Sequence, residues 1–273
     1  MSEYISMNLG LDWHKAKQIT AGVDVGGAST KVLILADGEP YIYSQVKTTL
    51  PGDSALRAMN TALGNTDLQL ENINNIIATG CGRLRVPFAN KVVSEIECAA
   101  AGAIKVYGPT VQTVLDLGGQ NCRVIHVTSN GRVAAFFWND KCAAGIGRSL
   151  ETFAGLAKKE IADLGNIALN AKKATQFSDF CAVYAQSEAI DAIIEKKPLD
   201  QIIAGFHQAL AIRISTLVFR TGIKEELAIV GGLAKNKGLV AALENKLNVS
   251  KADPQTDWDP VFTVALGAAL LAG

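Results

Sequence analysis

The feature that most constrains this chain is a short grammar that occurs twice. An apolar run, Ile19 to Val25, carries Asp24, breaks at Gly26-Gly27-Ala28, and resumes through Ser29, Thr30 and Lys31 into the buried-strand pattern Val32 to Leu35, with a turn at Asp37-Gly38. The same order returns at Thr113 to Leu117: TVLDL carries Asp116, runs into Gly118-Gly119-Gln120-Asn121, continues as CRVIHV, turns at Asn130-Gly131 and ends in VAAFFW. Each copy reads as strand, glycine-rich tip, strand, turn. A chain built this way folds as two similar halves. A third glycine pair, Gly231-Gly232, follows the strand Leu227 to Val230 and opens the turn GGLAKNKG.

Three glycine turns at strand ends point to phosphate handling, because without a Cβ the backbone N–H groups approach an anion closely. Asp24 and Asp116 end the strands that lead into two of them, placed to hold a hydrated Mg²⁺ beside phosphates. No GxxxxGK[ST] pattern is present, so neither turn is a P-loop; Lys31 is supplied on a hairpin and not at a helix start.

The rest of the chain alternates with these strands. Asn60 to Leu63 and Val92 to Val106 read as helices, the second with Ile96, Ala99, Ala100 and Ala103 on one face. Beyond Cys142 the pattern turns mostly helical, over Ile146 to Ala162, Cys181 to Glu195 and Ile202 to Arg220, then from Leu239, and finally over the small and apolar residues Val264 to Ala272. With 273 residues and 49% hydrophobic content, the chain buries a substantial core. Its 26 basic and 26 acidic residues balance, which supplies no net field for nucleic acid or an anionic membrane. The start lacks a basic region followed by an apolar stretch, and the C-terminal apolar run is shorter than the roughly 20 residues that span a bilayer. A cytoplasmic protein with no nucleic-acid or membrane partner is the expectation.

Five cysteines, an odd number in a chain too large to need staples, argue for a reducing compartment. Cys142 and Cys181 each open a helix-like segment, NDKCAAGIGRSLE and FSDFCAVYAQSEAI, where the positive end of a helix favours a thiolate. Two thiolates cannot close a four-iron site. Either both are buried structural cysteines, or they share one cluster with a second copy on a two-fold axis.

Taken together, GVDVGGASTK, LDLGGQNCRV and VGGLAKNKG resemble the two phosphate motifs and the adenosine motif of the superfamily that contains actin, the sugar kinases and the large heat-shock chaperones. Within it, ATGCGRLRVPFANKVVSEIECAAAGA, the two cysteine segments and the ending ALGAALLAG resemble the activator ATPases of 2-hydroxyacyl-CoA dehydratases and the ATPase subunits of benzoyl-CoA reductases, over about residues 20 to 273. The resemblance implies an α/β protein of two RNase-H-like, actin-like ATPase domains with a nucleotide cleft between them. It implies a first domain over 19–107, to which 262–273 returns, a second over 108–261 bearing the cluster helices, and residues 1–18 as an N-terminal arm. Catalysis falls to Asp24, Asp116 and Gln120, and ATP or ADP to Gly26, Gly27, Ala28, Ser29, Thr30, Lys31, Gly118, Gly119, Gly231, Gly232 and Lys235, with Mg²⁺. Cys142 and Cys181 from each subunit of a homodimer would hold one [4Fe–4S] cluster. The implied function is ATP-driven, low-potential electron delivery to an acceptor iron–sulfur enzyme, with reduced ferredoxin or flavodoxin as donor.

Asn121 stands where such activators usually carry aspartate, so the expectation is that hydrolysis is slower or relies on Asp24 and Asp116. Cys81 stands where many relatives have an aromatic residue, and Cys81, Cys98 and Cys122 are expected to be core or surface thiols. His14, His126 and His207 show no metal spacing. A small-molecule kinase of amino-sugar type and a nucleotide-gated scaffold use the same nucleotide motifs, but leave the two helix-opening cysteines without a role.

Overall fold

A computed structural model of the protein describes residues 4–64 and 66–273. In chain order the elements are β1 (Tyr4–Met7), β2 (Ile19–Val25), β3 (Ser29–Ala36), β4 (Glu39–Lys47), α1 (Pro51–Leu63), β5 (Asn75–Thr79), β6 (Lys91–Val92) and α2 (Glu95–Tyr107). They continue as β7 (Thr113–Leu117), β8 (Cys122–Val127), β9 (Val133–Trp138), α3 (Ile146–Leu156), α4 (Ile161–Asn170), α5 (Ala182–Ile194), α6 (Leu199–Thr221), β10 (Leu227–Val230), α7 (Lys237–Leu247) and α8 (Thr263–Leu270). The chain divides into two compact units. The first takes the described residues up to Thr110 with Val127–Ala134 and Pro254–Gly273, and the second takes Val111–His126 and Ala135–Asp253.

The first unit is built on a six-stranded sheet ordered β1-β4-β3-β2-β5-β6. Every residue of β2 is buried, as a central strand covered on both faces requires. β2 pairs antiparallel with β3 and parallel with β5, so the chain crosses over through α1 between β4 and β5. Tyr4–Met7, in the segment read as an N-terminal arm, forms the edge strand β1 against β4. The helix anticipated over Asn60 to Leu63 is the last turn of α1, which begins nine residues earlier with Pro51 at its first position, where proline's missing N–H costs nothing. The helix anticipated from Val92 starts at Glu95, because Lys91–Val92 pair with β5 and Ser94 caps the helix by accepting from the Glu97 N–H at 3.2 Å.

Helices α2 and α8 cross at backbone contact. A Cβ on Gly267 would sit 1.7 Å from the Cys98 carbonyl oxygen, and one on Gly102 would sit 1.9 Å from that of Thr263. The small residues of ALGAALLAG therefore let α8 lie directly on α2, as well as on β2 at Gly22. Gly267→Val should cost about 3 kcal/mol or more by overpacking, read as a lowered thermal midpoint, whereas Leu271→Ala on the exposed end should change it little.

The second unit carries a four-stranded sheet ordered β10-β7-β8-β9, with β7 antiparallel to β8 and parallel to β10. This repeats the first unit's run β5-β2-β3-β4, so the doubled grammar of the sequence is a doubled topology. The helix anticipated over Ile146 to Ala162 divides in two. α3 ends at Leu156, Lys158 takes φ 52, and α4 begins at Ile161. α6 is the one described helix long and apolar enough to cross a membrane, and it is mostly buried in this unit, with the Phe206 ring centroid 4.8 Å from that of Phe153 of α3 in a tilted contact.

Candidate nucleotide and cluster sites

The two hairpin tips close in the same way. Gly26 N–H donates to the Ser29 carbonyl at 3.1 Å, and Gly118 N–H donates to the Asn121 carbonyl at 2.9 Å. Two register steps back, Asp24 lies opposite Lys31 and Asp116 opposite Arg123. Both are ion pairs: Lys31 Nζ to Asp24 Oδ2 is 3.0 Å and part-buried, and Arg123 Nη1 to Asp116 Oδ2 is 2.5 Å and buried. The parallel neighbour completes each set with a glycine of positive φ. A Cβ on Gly80, after β5, would lie 2.5 Å from Asp24 Oδ1, and one on Gly231, after β10, would lie 2.8 Å from Asp116 Oδ1. Only glycine lets those strand ends turn against the carboxylates. Each unit thus presents a carboxylate, a cross-strand cation and a glycine shoulder at the mouth of a glycine turn.

The first tip is further fixed by Thr48, whose Oγ1 donates to the Gly26 carbonyl at 2.8 Å and lies 2.9 Å from Thr30 Oγ1, and by Gln45, which donates to Ser29 Oγ. These contacts leave Gly27 exposed and Ala28 half-buried at the tip. In the second unit Gly118 and Gly119 are half-buried and Gln120 is exposed. The third turn runs from Gly231 through a 3-10 segment, Gly232–Lys235, to Asn236, with Gly232 and Lys235 exposed. Asn236 Oδ1 accepts from the Leu239 N–H at 3.0 Å and caps α7, while its Nδ2 lies 2.9 Å from His207 Nε2. His207 is buried, and desolvation depresses its pKa, so it is a neutral ring. Its Nδ1–H donates to the Ile203 carbonyl at 2.8 Å and its Nε2 accepts from Asn236, which anchors the third turn to α6.

The residues Arg123, Gly80 and His207 were not singled out by sequence reasoning. Arg123 had a signal, since it follows Asp116 by seven positions as Lys31 follows Asp24. Gly80 was marked only by its place after an apolar strand, and no sequence pattern distinguishes His207.

Cys142 and Cys181 are placed differently from one another. Cys181 is the N-cap of α5, in extended conformation, and the loop before it is held by Ser178, whose N–H and hydroxyl both donate to the Glu188 carboxylate. Cys142 does not open an α-helix. It lies in the 3-10 turn Lys141–Ala143, separated from α3 by Gly145 at φ 74, so the helix-end argument holds for Cys181 alone. The Cys142 turn is held by Asp140, which accepts from Cys142 N–H at 3.0 Å and Ala143 N–H at 3.2 Å and pairs with Arg213 of α6. The Arg213 hydrogen bond holds the Asp140 carboxyl below the usual range. Cys142 is exposed and Cys181 half-buried, and α5 packs on the turn carrying Cys142.

Burial pushes the thiols of Cys98 and Cys122 up to about 12, so both stay protonated and apolar. Cys81 is exposed but belongs to the first unit, with its thiol directed at the Val25 carbonyl. Within the second unit the donor set is therefore two accessible thiols, Cys142 and Cys181. Among the described residues, no three His, Cys, Asp or Glu side chains of one chain converge as a ligand set.

The second glycine turn and the Cys142 segment are directly bonded. Gly145 N–H donates to the Gln120 carbonyl at 2.7 Å, Arg148 N–H donates to the Gly119 carbonyl at 3.0 Å, and a Cβ on Gly147 would lie 2.6 Å from Gly119 Cα.

A doubled hairpin sheet with aspartates at glycine tips defines a protein of the actin-like ATPase fold. The chain belongs to the BadF/BadG/BcrA/BcrD ATPase family, which it matches over residues 21–272. It is 36% identical over 254 residues to the 2-hydroxyisocaproyl-CoA dehydratase activator of Clostridioides difficile, covering 93% of this chain and 94% of that one. It is 37% identical over 256 residues to the (R)-2-hydroxyglutaryl-CoA dehydratase activating ATPase of Acidaminococcus fermentans, covering 93% and 96%. The solved structure of the 2-hydroxyisocaproyl-CoA dehydratase activator from Clostridium difficile, which has ADPNP bound, superposes with a TM-score of 0.87 at 35% identity, covering 93% of this chain and 94% of that one.

Proposed function

We propose that this protein is an ATP-driven activator that delivers low-potential electrons to a partner iron–sulfur enzyme. The single observation that carries the reading is the direct bonding of the glycine turn Gly118–Gln120 to the segment that bears Cys142. In this reading the backbone N–H groups of Gly26–Ala28 and Gly118–Gly119, together with Ser29, Thr30 and Lys31, hold the phosphates, and the turn Gly231–Lys235 holds the adenosine. Asp24 and Asp116 hold hydrated Mg²⁺, and Gln120 faces the attacking water.

Cys142 and Cys181 from two copies would hold one [4Fe–4S] cluster, which would supply one-electron chemistry between reduced ferredoxin or flavodoxin and the acceptor. The exposed apolar side chains Phe180, Val183 and Tyr184 around Cys181 favour a covered face there, as a homodimer would provide. Hydrolysis of ATP at the glycine turns shifts the Gln120–Gly145 and Gly119–Arg148 bonds and hence the Cys142 turn. The acceptor is of the 2-hydroxyacyl-CoA dehydratase, benzoyl-CoA reductase or double-cubane-cluster type, and the pair acts in the cytoplasm.

Iron analysis of anoxically purified protein tests this directly. The expected result is a homodimer with about four irons, since two thiolates per chain make four ligands. Four irons per monomer, or none after anoxic reconstitution, would defeat the shared cluster.

A further inference from the structure

The two units repeat the same carboxylate and cation, but one copy carries an addition. Arg123 places its guanidinium carbon 4.5 Å from the ring centroid of Trp138 on β9. Among the described residues this is the one cation seated over an aromatic face. Trp138 is followed by Asn139, whose N–H donates to the Cys122 carbonyl at 3.0 Å and whose Oδ1 accepts from the Cys122 N–H at 2.8 Å. Next comes Asp140, the cap of the Cys142 turn. An unbroken run of contacts therefore joins Asp116 to Cys142 through Arg123, Trp138, Asn139 and Asp140, all inside the second unit.

From this arrangement we infer that Arg123 and Trp138 are positioning residues that report the state of Asp116 to the Cys142 turn. The inference rests on the proposed binding of Mg²⁺·ATP and a cluster, and adds the route between them. A divalent cation attracted to Asp116 competes with the guanidinium, because two cations on one carboxylate repel each other. Arg123 then loosens from Asp116 and its stacking on Trp138 changes. Trp138 is joined through two residues, Asn139 and Asp140, to the turn that Asp140 caps, so a change of its ring position moves that turn. The first unit lacks the device: Lys31 meets Asp24 and the Gly26 turn, a compact ammonium with no plane to stack. A second route from the same glycine turn, through the Gly119 and Gln120 carbonyls, is made of backbone and stays intact when the Trp138 side chain is changed.

The experiment compares wild type, Trp138→Leu and Trp138→Tyr as anoxically purified, cluster-loaded dimers. Bound nucleotide is measured by equilibrium dialysis, cluster iron by its rate of removal by a chelator, and Trp138 emission as the difference between the wild-type and Trp138→Tyr spectra. In wild type, chelation rates with ATP and with ADP should differ by about fivefold or more, a normal range for coupled sites. In Trp138→Leu the ratio should fall to about half of the wild-type value with nucleotide still bound, the backbone route carrying the remainder, and in Trp138→Tyr, which keeps an aromatic face, it should stay above about three quarters of it.

A full ratio in Trp138→Leu would overturn the inference and leave the backbone route as the carrier. So would a ratio in Trp138→Tyr as low as in Trp138→Leu, because the aromatic face would then be irrelevant. Emission separates failure of the link from failure of the reading beneath it. Bound Mg²⁺·ATP that leaves Trp138 emission unchanged overturns the link whatever the cluster does. Dialysis showing no bound nucleotide, or iron analysis showing no cluster, overturns the underlying function together with the inference.

Discussion

Serine in place of Cys142 or Cys181 should abolish the visible iron–sulfur absorption, while Cys81→Ser, Cys98→Ser and Cys122→Ser should keep it. The first two variants each remove two of four ligands from a dimer, because a two-fold axis doubles every substitution. The last three touch thiols of a different kind. Cys98 and Cys122 are buried, with ionisation suppressed up to about 12, and Cys81 lies in the other unit. Cys98→Ser has its own cost, since a hydroxyl would replace a buried thiol in α2 close to the α8 crossing; a modest fall in thermal midpoint with full absorption is the expected pattern. Absorption and iron content of the five variants check the prediction, and loss of the cluster in Cys98→Ser with retention in Cys181→Ser would show that the wrong pair has been assigned.

ATP hydrolysis should fall roughly 10²-fold in Asp116→Asn, the usual scale for removing one preorganised electrostatic group. The asparagine keeps the volume and can still accept from Arg123, but it carries no charge to hold a hydrated Mg²⁺. Arg123 then faces a neutral partner in a buried place, so some stability is lost as well, bounded by the ~3–5 kcal/mol of a broken buried pair. A melting curve confirms that the variant is folded at the assay temperature. Asp24→Asn should behave in the same way, because its pairing with Lys31 and its glycine shoulder Gly80 repeat those of Asp116. A turnover within about threefold of wild type in both folded variants would remove the two carboxylates from the catalytic reading.

The doubled strand grammar was legible because its signals are local. Apolar runs bounded by glycine pairs specify hairpins, and the spacing between Asp24 and Lys31 places them opposite each other once the tip closes. Periodicity located α5, α6 and the burial of α8. Elements set by partners were not legible. Val92 reads as the first residue of a helix until β5 offers a free edge to Lys91–Val92, and nothing local marks the left-handed residue Lys158 that divides α3 from α4. At the candidate sites, the glycine turns and their carboxylates stood out by repetition. The cap on the Cys142 turn did not, because Asp140 depends on Arg213, 73 positions away. Glu188 likewise reaches back to Ser178 to fix the loop before Cys181, which only the folded chain makes evident.

The central claim is that nucleotide state and cluster are coupled through the second unit. The rate at which a chelator removes iron from the reduced, anoxic dimer, measured with ATP, with ADP and without nucleotide, tests it most directly. The account predicts that at least one of the three rates differs from the others by about fivefold or more, since the Gly119 and Gln120 turn is bonded to the Cys142 segment. Three equal rates from a dimer that demonstrably holds both nucleotide and cluster would contradict it.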